Sequence, residues 1–325
     1  MTAASVVIAV KDGRETIGRA VRSALDQTLP DIEVIVVDDA SRDATAAAAR
    51  EAAAGDQRLR IVALAENRGP SAARNRGIEA ARGRWIAVLD ADDSFAPTRL
   101  ERLVTRAQAA SADMACDDLA VFDRDSGREL FAMFARAPLP ERIDAAAFVA
   151  GNLPDPREPR RGYGFLKPIL RRSFLREQGL AYDEEMRFAE DYGLYLGCLL
   201  RGAVWVTDPA PLYSYAVHGN SLTASHTAGD LALLCRVDER ALEGEPAREN
   251  PRLRNALVHH LLAARKRERW AAFIAQFKAR DYGSLPRTAA HSPAVFAHIA
   301  VQCLRQAVVR GVRLVRSPIN RSRGG

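Results

Sequence analysis

Six aspartates in the first third of the sequence lie directly after short apolar runs. Asp12 follows the first run, Asp38 and Asp39 follow the second, and the sequence LDADD, with Asp90, Asp92 and Asp93, follows a later one. A single aspartate at such a position is commonly a helix N-cap or a turn residue. Six of them at corresponding positions favour one shared site instead.

The spacing of Asp90 and Asp92 indicates what such a site could bind. Carboxylates at positions i and i+2 of an extended segment point to the same side, where their like charges repel unless a cation keeps both ionised. Magnesium usually takes one or two carboxylates and completes its coordination with water and substrate phosphates. The pair therefore predicts a divalent cation that holds a diphosphate.

The elements that must position these acids can be predicted from the apolar pattern. Strand-length apolar runs cover residues 5–10, 33–37, 59–64 and 85–89, and helical stretches cover residues 15–29, 44–54 and 71–81. The resulting βαβαβαβ order predicts a parallel sheet with helices on both faces. In such α/β sheets, ligands bind beyond the carboxyl ends of the strands, which is where the six aspartates lie.

The rest of the chain continues this pattern and then changes character. We expect a helix over 98–110, a strand over 112–122, a turn at 123–127, a strand over 129–134 and a loop over 151–164. Helical patterns cover 231–242, 252–277 and 295–315. We therefore expect two regions, an α/β domain over residues 1–224 and a helical extension over residues 225–325.

Composition excludes several classes of protein. The 325 residues are 48% hydrophobic and 27% charged, which is typical of a globular protein and not of a disordered or collagen-like chain. The four cysteines form no CxxC pair and no compact disulfide framework. No apolar run exceeds six residues, against about 20 for a membrane span. We expect a reduced, cytoplasmic protein without a signal peptide.

Two common phosphate-binding motifs are absent. A dinucleotide-binding Rossmann domain needs G-x-G-x-x-G after the first strand, but the sequence there is KDGRET. The P-loop pattern G-x-x-x-x-G-K-[ST] is also missing. Phosphates must therefore be bound by a metal ion and by side chains.

Five segments together resemble glycosyltransferase family 2, whose fold is GT-A. They are VVIAVKDGRETIGRAVRSALDQT, IVVDDASRDAT, ENRGPSAARNRGIEAARGRWIAVLDADD, FAEDYGLYLGCLLRG and YSYAVHGNSLT, and they extend over about residues 3–223. The resemblance implies an inverting, metal-dependent transferase of the hexosyltransferase type. Its donor would be a nucleotide-sugar, usually a UDP-sugar, and its acceptor a hydroxyl of a glycan or a lipid-linked molecule in exopolysaccharide or cell-envelope synthesis.

The resemblance also implies roles for particular residues. Asp191 would be the catalytic base, with Glu190 beside it. Asp92 and Asp90 would contact Mg²⁺ or Mn²⁺ together with His218. The remaining expected contacts to the nucleotide-sugar are Asp39, Asp38, Asp12, Arg74, Asp93, Ser221 and Thr223.

Two positions depart from the common family pattern. The first strand ends in Ala9-Val10-Lys11-Asp12, without the aromatic residue frequent there, so the donor base is left open. Ala216 occupies a position where many members have an arginine. Arg68 and Lys167 are candidates for the diphosphate contact that this arginine would supply.

Two other functions remain open from the residues alone. A nucleotidyltransferase would form the activated sugar, although its usual glycine-rich basic loop after the first strand is missing. A non-catalytic scaffold of the same fold would bind nucleotide or glycan. Such a scaffold is expected to have lost the base or the DxD pair, whereas this sequence contains both. Pyrophosphate release would identify the former, and binding without turnover the latter.

The C-terminal end of the chain is basic. The net charge is +6, yet residues 282–325 contain seven arginines and no lysine, aspartate or glutamate. Val301, Leu304, Val308, Val312 and Val315 repeat at helical spacing beside the arginines. Two interpretations have equal weight, a helix lying on an anionic membrane surface and a helix packed on the domain. We do not expect nucleic-acid binding, because no aromatic residues are interleaved with the charge.

Overall fold

The computed structural model describes residues 2–123, 126–154, 161–217, 226–290 and 292–316, with residues 305–316 as helical backbone. Its strands are β1 (Ala4–Val10), β2 (Ile32–Asp38), β3 (Leu59–Ala63), β4 (Trp85–Val88), β5 (Ser94–Phe95), β6 (Met114–Asp123), β7 (Glu129–Ala132), β8 (Ile169–Arg171) and β9 (Trp205–Val217). Its α-helices are α1 (Ile17–Leu25), α2 (Thr45–Ala53), α3 (Pro70–Ala80), α4 (Arg99–Ala109), α5 (Ala145–Ala150), α6 (Arg172–Glu177), α7 (Glu190–Leu200), α8 (Ala228–Glu243), α9 (Glu245–Glu249), α10 (Pro251–Lys278), α11 (Leu285–Ala289) and α12 (Pro293–Arg316). A short 3₁₀ helix covers Tyr163–Phe165.

The strands form one mixed sheet in the order β3-β2-β1-β4-β8-β6-β9-β5, with β7 paired to β6. Strand β1 is parallel to both neighbours, and its register aligns Val10 with Asp38 of β2 and Val7 with Val88 of β4. The carboxyl ends of these three strands therefore lie side by side. The aspartates that follow them are brought to one edge of the sheet, as the sequence predicts.

The strands and helices predicted over the first 134 residues are present, with ends shifted by a few residues, and part of the turn predicted at 123–127 lies outside the described residues. The α/β class and the three C-terminal helices are confirmed. The sheet is less parallel than the strand–helix alternation suggests, because β8 pairs antiparallel to β4 and β6. Strand β9 and the two-residue strand β5 were not predicted, and neither were helices α6 and α7. Within the segment predicted as a loop over 151–164, the structure places the start of the 3₁₀ helix.

The packing of helix α3 on the sheet depends on a glycine. A Cβ atom at Gly77 would lie 2.3 Å from Cγ1 of Val7 and 3.2 Å from Cγ2 of Val37. Only a residue without a side chain allows the approach to Val7, because real Cβ atoms essentially never lie 2.3 Å from another heavy atom. Gly77 therefore sets the depth at which α3 lies against β1 and β2, and with it the position of Arg74 one turn earlier.

The C-terminal helices share the hydrophobic core of the sheet region. Leu234 of α8 and Leu257 of α10 are buried in the same core cluster as Trp205 of β9, which is 1% exposed. None of the helices in the described ranges combines the length and the apolarity that a bilayer span needs. Four large apolar side chains between the end of α10 and the middle of α12 are nevertheless exposed: Tyr282, Phe296, Val301 and Leu304.

Candidate active site

The loops after β1 and β2 are held together by aspartate side chains that accept backbone N–H groups. Asp39 is buried and accepts from the N–H groups of Arg68 at 2.7 Å and Gly69 at 2.9 Å, directly before helix α3. Asp38 accepts from Ser41 N–H at 2.9 Å, and Asp12 accepts from Arg42 N–H at 2.7 Å. These carboxylates therefore fix the loops at this edge of the sheet.

The turn after β4 places its three aspartates in different surroundings. Asp90 accepts from Arg74 at 2.8 Å through one oxygen and pairs with Lys167 at 2.8 Å through the other. Asp93 is buried, and its oxygens contact Tyr213 Oη at 2.7 Å and the N–H of Ala216 at 2.8 Å. Asp92 is half-buried, and its backbone carbonyl accepts from Arg19. Asp93 thus anchors the turn to strand β9.

Arg74 connects the turn after β4 with helix α7. Its guanidinium donates to Asp90 and, at 2.6 Å, to Glu190, which lies 116 positions further along the chain. The guanidinium also lies 5.3 Å from the ring centroid of Tyr182, and the residue is buried. A fixed cation at this edge of the sheet is suited to stabilise negative charge on a phosphate.

Asp191 lies in the first turn of α7, after a backbone turn of unusual conformation. Ala189, the N-cap residue, has φ +58°, a left-handed conformation that costs energy for a residue with a Cβ atom. Asp191 accepts from Lys167 Nζ at 2.8 Å, from Tyr182 Oη at 3.0 Å and from Tyr195 Oη at 3.3 Å. The carboxylate is thereby oriented by three donors from three parts of the fold.

The ionisation of the residues around Asp191 follows from burial and from neighbouring charge. Burial lowers the pKa of Lys167, but Asp191 and Asp90 outweigh that effect and raise it well above the usual value. Burial likewise raises the pKa of Asp90, but Lys167 and Arg74 hold it well below its usual range. Burial, together with the charge of Asp191, raises the pKa of Tyr182 and Tyr195. An ammonium and two neutral phenols therefore surround Asp191.

The donor atoms at this edge suit a hard divalent cation that is bound jointly with a diphosphate. Within the described ranges, no three His, Cys, Asp or Glu side chains are grouped so that they alone could hold a metal ion. Magnesium requires no such group when substrate phosphates complete its shell, and carboxylate oxygens are the ligands it prefers. Asp90 and Asp92 are the carboxylates of the turn after β4, and both oxygens of Asp90 already pair with the cations of Arg74 and Lys167. His218, Ser221 and Thr223 lie outside the described residues.

The sequence predicted most of the acids in this cluster but not what joins them. Asp90, Arg74, Glu190 and Asp191 were all named from sequence, and the structure connects them. Lys167 was one of two alternatives for a diphosphate contact, whereas here it pairs with two carboxylates. The other alternative, Arg68, pairs with Glu184 at 2.9 Å. Tyr182, Tyr195 and Tyr213 were missed, because a buried tyrosine has no spacing that distinguishes it from a core residue.

A second buried polar cluster lies behind helix α7. Tyr192, next to Asp191, donates to Asp238 of α8 at 2.6 Å, and His260 of α10 contacts the other oxygen of Asp238 at 2.7 Å. The imidazole of His260 also stacks on the Tyr192 ring, with centroids 4.7 Å apart. His260 therefore serves packing between helices α7, α8 and α10. The C-terminal helices hold α7 in place through this cluster.

Comparison with known proteins identifies related chains. A family model described as Glycosyl transferase family 2 matches residues 5–164. Succinoglycan biosynthesis protein ExoU of Rhizobium meliloti (strain 1021) is 42% identical over 252 residues, which are 75% of this chain and 72% of that protein. Succinoglycan biosynthesis protein ExoO of the same organism is 37% identical over 303 residues, which are 91% and 83% of the two chains.

Solved structures share the fold at low sequence identity. S. aureus TarS 1-349 in complex with UDP-GlcNAc superposes with a TM-score of 0.66 at 16% identity, covering 88% of this chain and 90% of that chain. The mannosyltransferase PcManGT from Pyrobaculum calidifontis, in complex with GDP-Man and Mn²⁺, gives a TM-score of 0.58 at 19% identity, covering 95% and 86%. The predicted GT-A fold is confirmed.

Proposed function

This chain belongs to glycosyltransferase family 2, and from that premise we propose that it is an inverting, metal-dependent hexosyltransferase. It transfers a sugar from a nucleotide-diphosphate donor, preferably a UDP-sugar, to a hydroxyl of a glycan or lipid-linked acceptor. The product is a polysaccharide of the exopolysaccharide or cell-envelope type. Relatives named for succinoglycan biosynthesis support this assignment of the product.

The observation that carries the proposal is the arrangement of Asp191 opposite the turn after β4. Asp90 in that turn and Asp191 on α7 pair with the same ammonium, Lys167 Nζ, each at 2.8 Å. The group expected near the departing diphosphate and the group expected near the acceptor hydroxyl are therefore close neighbours. A displacement at the sugar carbon between them needs this proximity.

Asp191 acts as the general base in this mechanism. A sugar hydroxyl is a weak nucleophile, so a carboxylate that takes up its proton as the new bond forms contributes about 10²- to 10⁴-fold to the rate. Attack on the face opposite the leaving group inverts the anomeric carbon in a single step. Glu190, which pairs with Arg74, is assigned to positioning, because a single displacement requires no second carboxylate as nucleophile.

The donor is bound by the edge of the sheet formed by β1, β2 and β4. Asp12, Asp38 and Asp39 line the nucleotide position, and Arg74 lies near the phosphates. Asp90 and Asp92 would hold Mg²⁺ or Mn²⁺, assisted by His218, and Asp93 supports the donor sugar side of the turn. When bound, the metal neutralises charge on the departing diphosphate. Ser221 and Thr223 are assigned to closing the site over the donor.

The acceptor side and the C-terminal extension complete the proposal. Residues 1–224 form the catalytic domain, and residues 225–325 form a helical extension that brings the enzyme to the inner face of an anionic membrane, where lipid-linked acceptors reside. The supporting features are the seven arginines of residues 282–325 and the exposed apolar side chains of Phe296, Val301 and Leu304. The enzyme is then cytoplasmic and peripheral.

The test is a thermal-shift screen of UDP-, GDP- and TDP-sugars with and without Mn²⁺, followed by a transfer assay with the stabilising donor. A donor at about 100 times its Kd should stabilise the fold by roughly 2.7 kcal/mol. We expect one nucleotide to give a metal-dependent shift and its sugar to appear on an acceptor. Pyrophosphate release from a nucleoside triphosphate and a sugar phosphate, or binding without transfer, would contradict the proposal.

A further inference from the structure

We propose that Lys167 is a positioning residue for the transfer reaction, whose ammonium fixes the base Asp191 relative to Asp90. This inference rests on the proposed function, since it assigns Lys167 a role through Asp191. Lys167 Nζ lies 2.8 Å from Asp191 Oδ2 and 2.8 Å from Asp90 Oδ2. Because the same ammonium contacts both carboxylates, the distance between Asp191 Oδ2 and Asp90 Oδ2 cannot exceed the sum of these two distances.

The chemistry of the position favours an ammonium over a guanidinium. Only four of the 47 basic residues of this chain are lysines, so arginine is its ordinary cation. An ammonium is a compact point charge with three donors, whereas a guanidinium spreads its donors over a larger planar group, as in Arg74, which contacts Asp90 and Glu190 through two separate nitrogens. Lys167 is buried, with 6% of its side chain exposed, and it lies between two acids where that compactness is needed.

The buried ion pair between Arg99 and Asp117 supports the backbone of Lys167. Arg99 donates to the carbonyl of Lys167 and also to Asp117, with Nε at 2.9 Å from Oδ2, and both side chains of this pair are fully buried. Pro168 follows and restricts Lys167 to an extended backbone. The ammonium therefore projects from a rigid support, which is what a group that sets another side chain's position requires.

The remaining donors to Asp191 do not duplicate the role of Lys167. Tyr182 and Tyr195 both contact Oδ1 of Asp191, whereas Lys167 contacts Oδ2. The two phenols are neutral donors, and Lys167 brings the positive charge. Its removal would leave Oδ2 without this contact and allow the carboxylate to rotate away from the acceptor hydroxyl. A displacement of about 1 Å at a reacting group can cost about 10²-fold in rate.

The test compares Lys167→Met, which keeps the aliphatic stem, with wild type and with Lys278→Met, an exposed lysine at the end of α10. We expect Lys167→Met to lower kcat about 100-fold and to leave the KM for the donor within about threefold. Calorimetric binding of the free nucleoside diphosphate with Mn²⁺ should likewise stay within about threefold. Lys278→Met should match wild type.

A double-mutant cycle separates positioning of Asp191 from a general structural role. In an Asp191→Asn background, measured with radiolabelled donor, Lys167→Met should cost no further rate, because the group it positions is already inactive. An equal loss in both backgrounds would overturn the inference, as would an increased donor KM at unchanged kcat. If Asp191→Asn itself retains full turnover, the proposed base is wrong and not merely the role of Lys167.

Folding of the variant is checked by circular dichroism and thermal melting. If Lys167→Met does not fold, Lys167→Arg replaces it, because it retains a cation between the two acids. We expect Lys167→Arg to fold and to remain at least about tenfold below wild type in kcat, since the larger planar guanidinium cannot occupy the point that lies 2.8 Å from both Asp191 Oδ2 and Asp90 Oδ2. Wild-type kcat in the arginine variant would show that charge alone suffices and would overturn the inference.

Discussion

The phenolic oxygen of Tyr213 lies 2.7 Å from Oδ2 of Asp93, which joins strand β9 to the turn after β4 across 120 positions of sequence. The same phenol accepts from the N–H of Asp90 at 3.2 Å, and Ala216 donates its N–H to the other oxygen of Asp93. The turn that carries the proposed metal contacts is thus held from the far end of the fold. Its geometry follows from β9, which the apolar pattern did not predict.

Asp191→Asn should abolish transfer while leaving donor binding nearly intact. The amide keeps the size of the side chain but cannot take up the proton of the attacking hydroxyl. We therefore expect kcat to fall by about 10²- to 10⁴-fold. Turnover and calorimetric nucleotide affinity measured on the same preparation check this. Glu185→Gln, an exposed substitution a few residues earlier, serves as the matched control. Undiminished turnover in the Asn variant would remove Asp191 as the base.

Asp92→Ala should weaken the binding of nucleotide in the presence of Mn²⁺ but not in its absence. Removal of one of the two proposed carboxylate ligands leaves the cation with fewer negative charges to hold it beside the diphosphate. Titration of the nucleoside diphosphate with Mn²⁺, and again with EDTA, measures the difference directly. Asp31→Ala, at the opposite end of β2, is the control. Equal affinities of variant and wild type with Mn²⁺ would refute the assignment of Asp92.

Two helix glycines should respond in opposite ways to alanine. A Cβ atom at Gly77 would collide with Val7, so Gly77→Ala should lower the free energy of unfolding by about 1–3 kcal/mol and displace Arg74. At Gly18 of α1 the nearest atom is 3.5 Å away, so Gly18→Ala should stabilise by about 0.5–1 kcal/mol through helix propensity. Urea unfolding of both variants checks the pair, and a stable Gly77→Ala would show that α3 can move.

The stability of the protein should decline below about pH 6.5 partly through His226. This imidazole stacks on Phe188 at 3.6 Å, and burial together with Arg267 lowers its pKa from the usual 6.5. The unfolded chain therefore takes up the proton first as pH falls, which lowers the free energy of unfolding in that range. His226→Phe keeps the ring contact without titrating. Its Tm should fall less than that of wild type between pH 7.5 and 5.5, and parallel curves would exclude His226.

The C-terminal segment of residues 282–325 should bind anionic vesicles. Each basic residue near such a surface contributes about 1 kcal/mol, and exposed apolar side chains add to it. We expect sedimentation with phosphatidylglycerol vesicles but not with phosphatidylcholine alone, and its loss at high salt. Phe296→Asp combined with Leu304→Asp should weaken it at least about tenfold, whereas Val258→Asp on α10 should not. Absence of binding would favour a helix packed on the domain, and salt-independent binding would exclude the electrostatic contribution of the arginines.

The first half of the fold could be predicted because its signals are local. Strands β1 and β2 are nearly continuous runs of buried Val, Ile and Ala, and the helices between them have their own periodicity. The aspartates could be placed at one edge because parallel strands end at the same edge. Strand β5 has two residues and β8 has three, which is too short for any periodicity to be detected.

The contacts that join the cluster could not be predicted, because they depend on tertiary pairing. Arg74 and Glu190 are each ordinary charged residues in sequence, and only the tertiary fold brings their side chains within 2.6 Å. Lys167 precedes a proline in an otherwise apolar stretch, which in a sequence is more typical of a strand end than of a buried ammonium. Its role depends on two acids that are 77 and 24 positions away.

The contact of Tyr192 with Asp238 and His260 has a practical consequence for anyone who shortens this protein. A fragment that stops at residue 224 would contain every acid assigned to chemistry, yet it would lack the two side chains against which the helix of Asp191 rests. The phenol of Tyr192 and its apolar surroundings would then face solvent. Weak turnover of such a fragment would reflect the loss of the contacts that support helix α7, and would give little information about the donor or the acceptor.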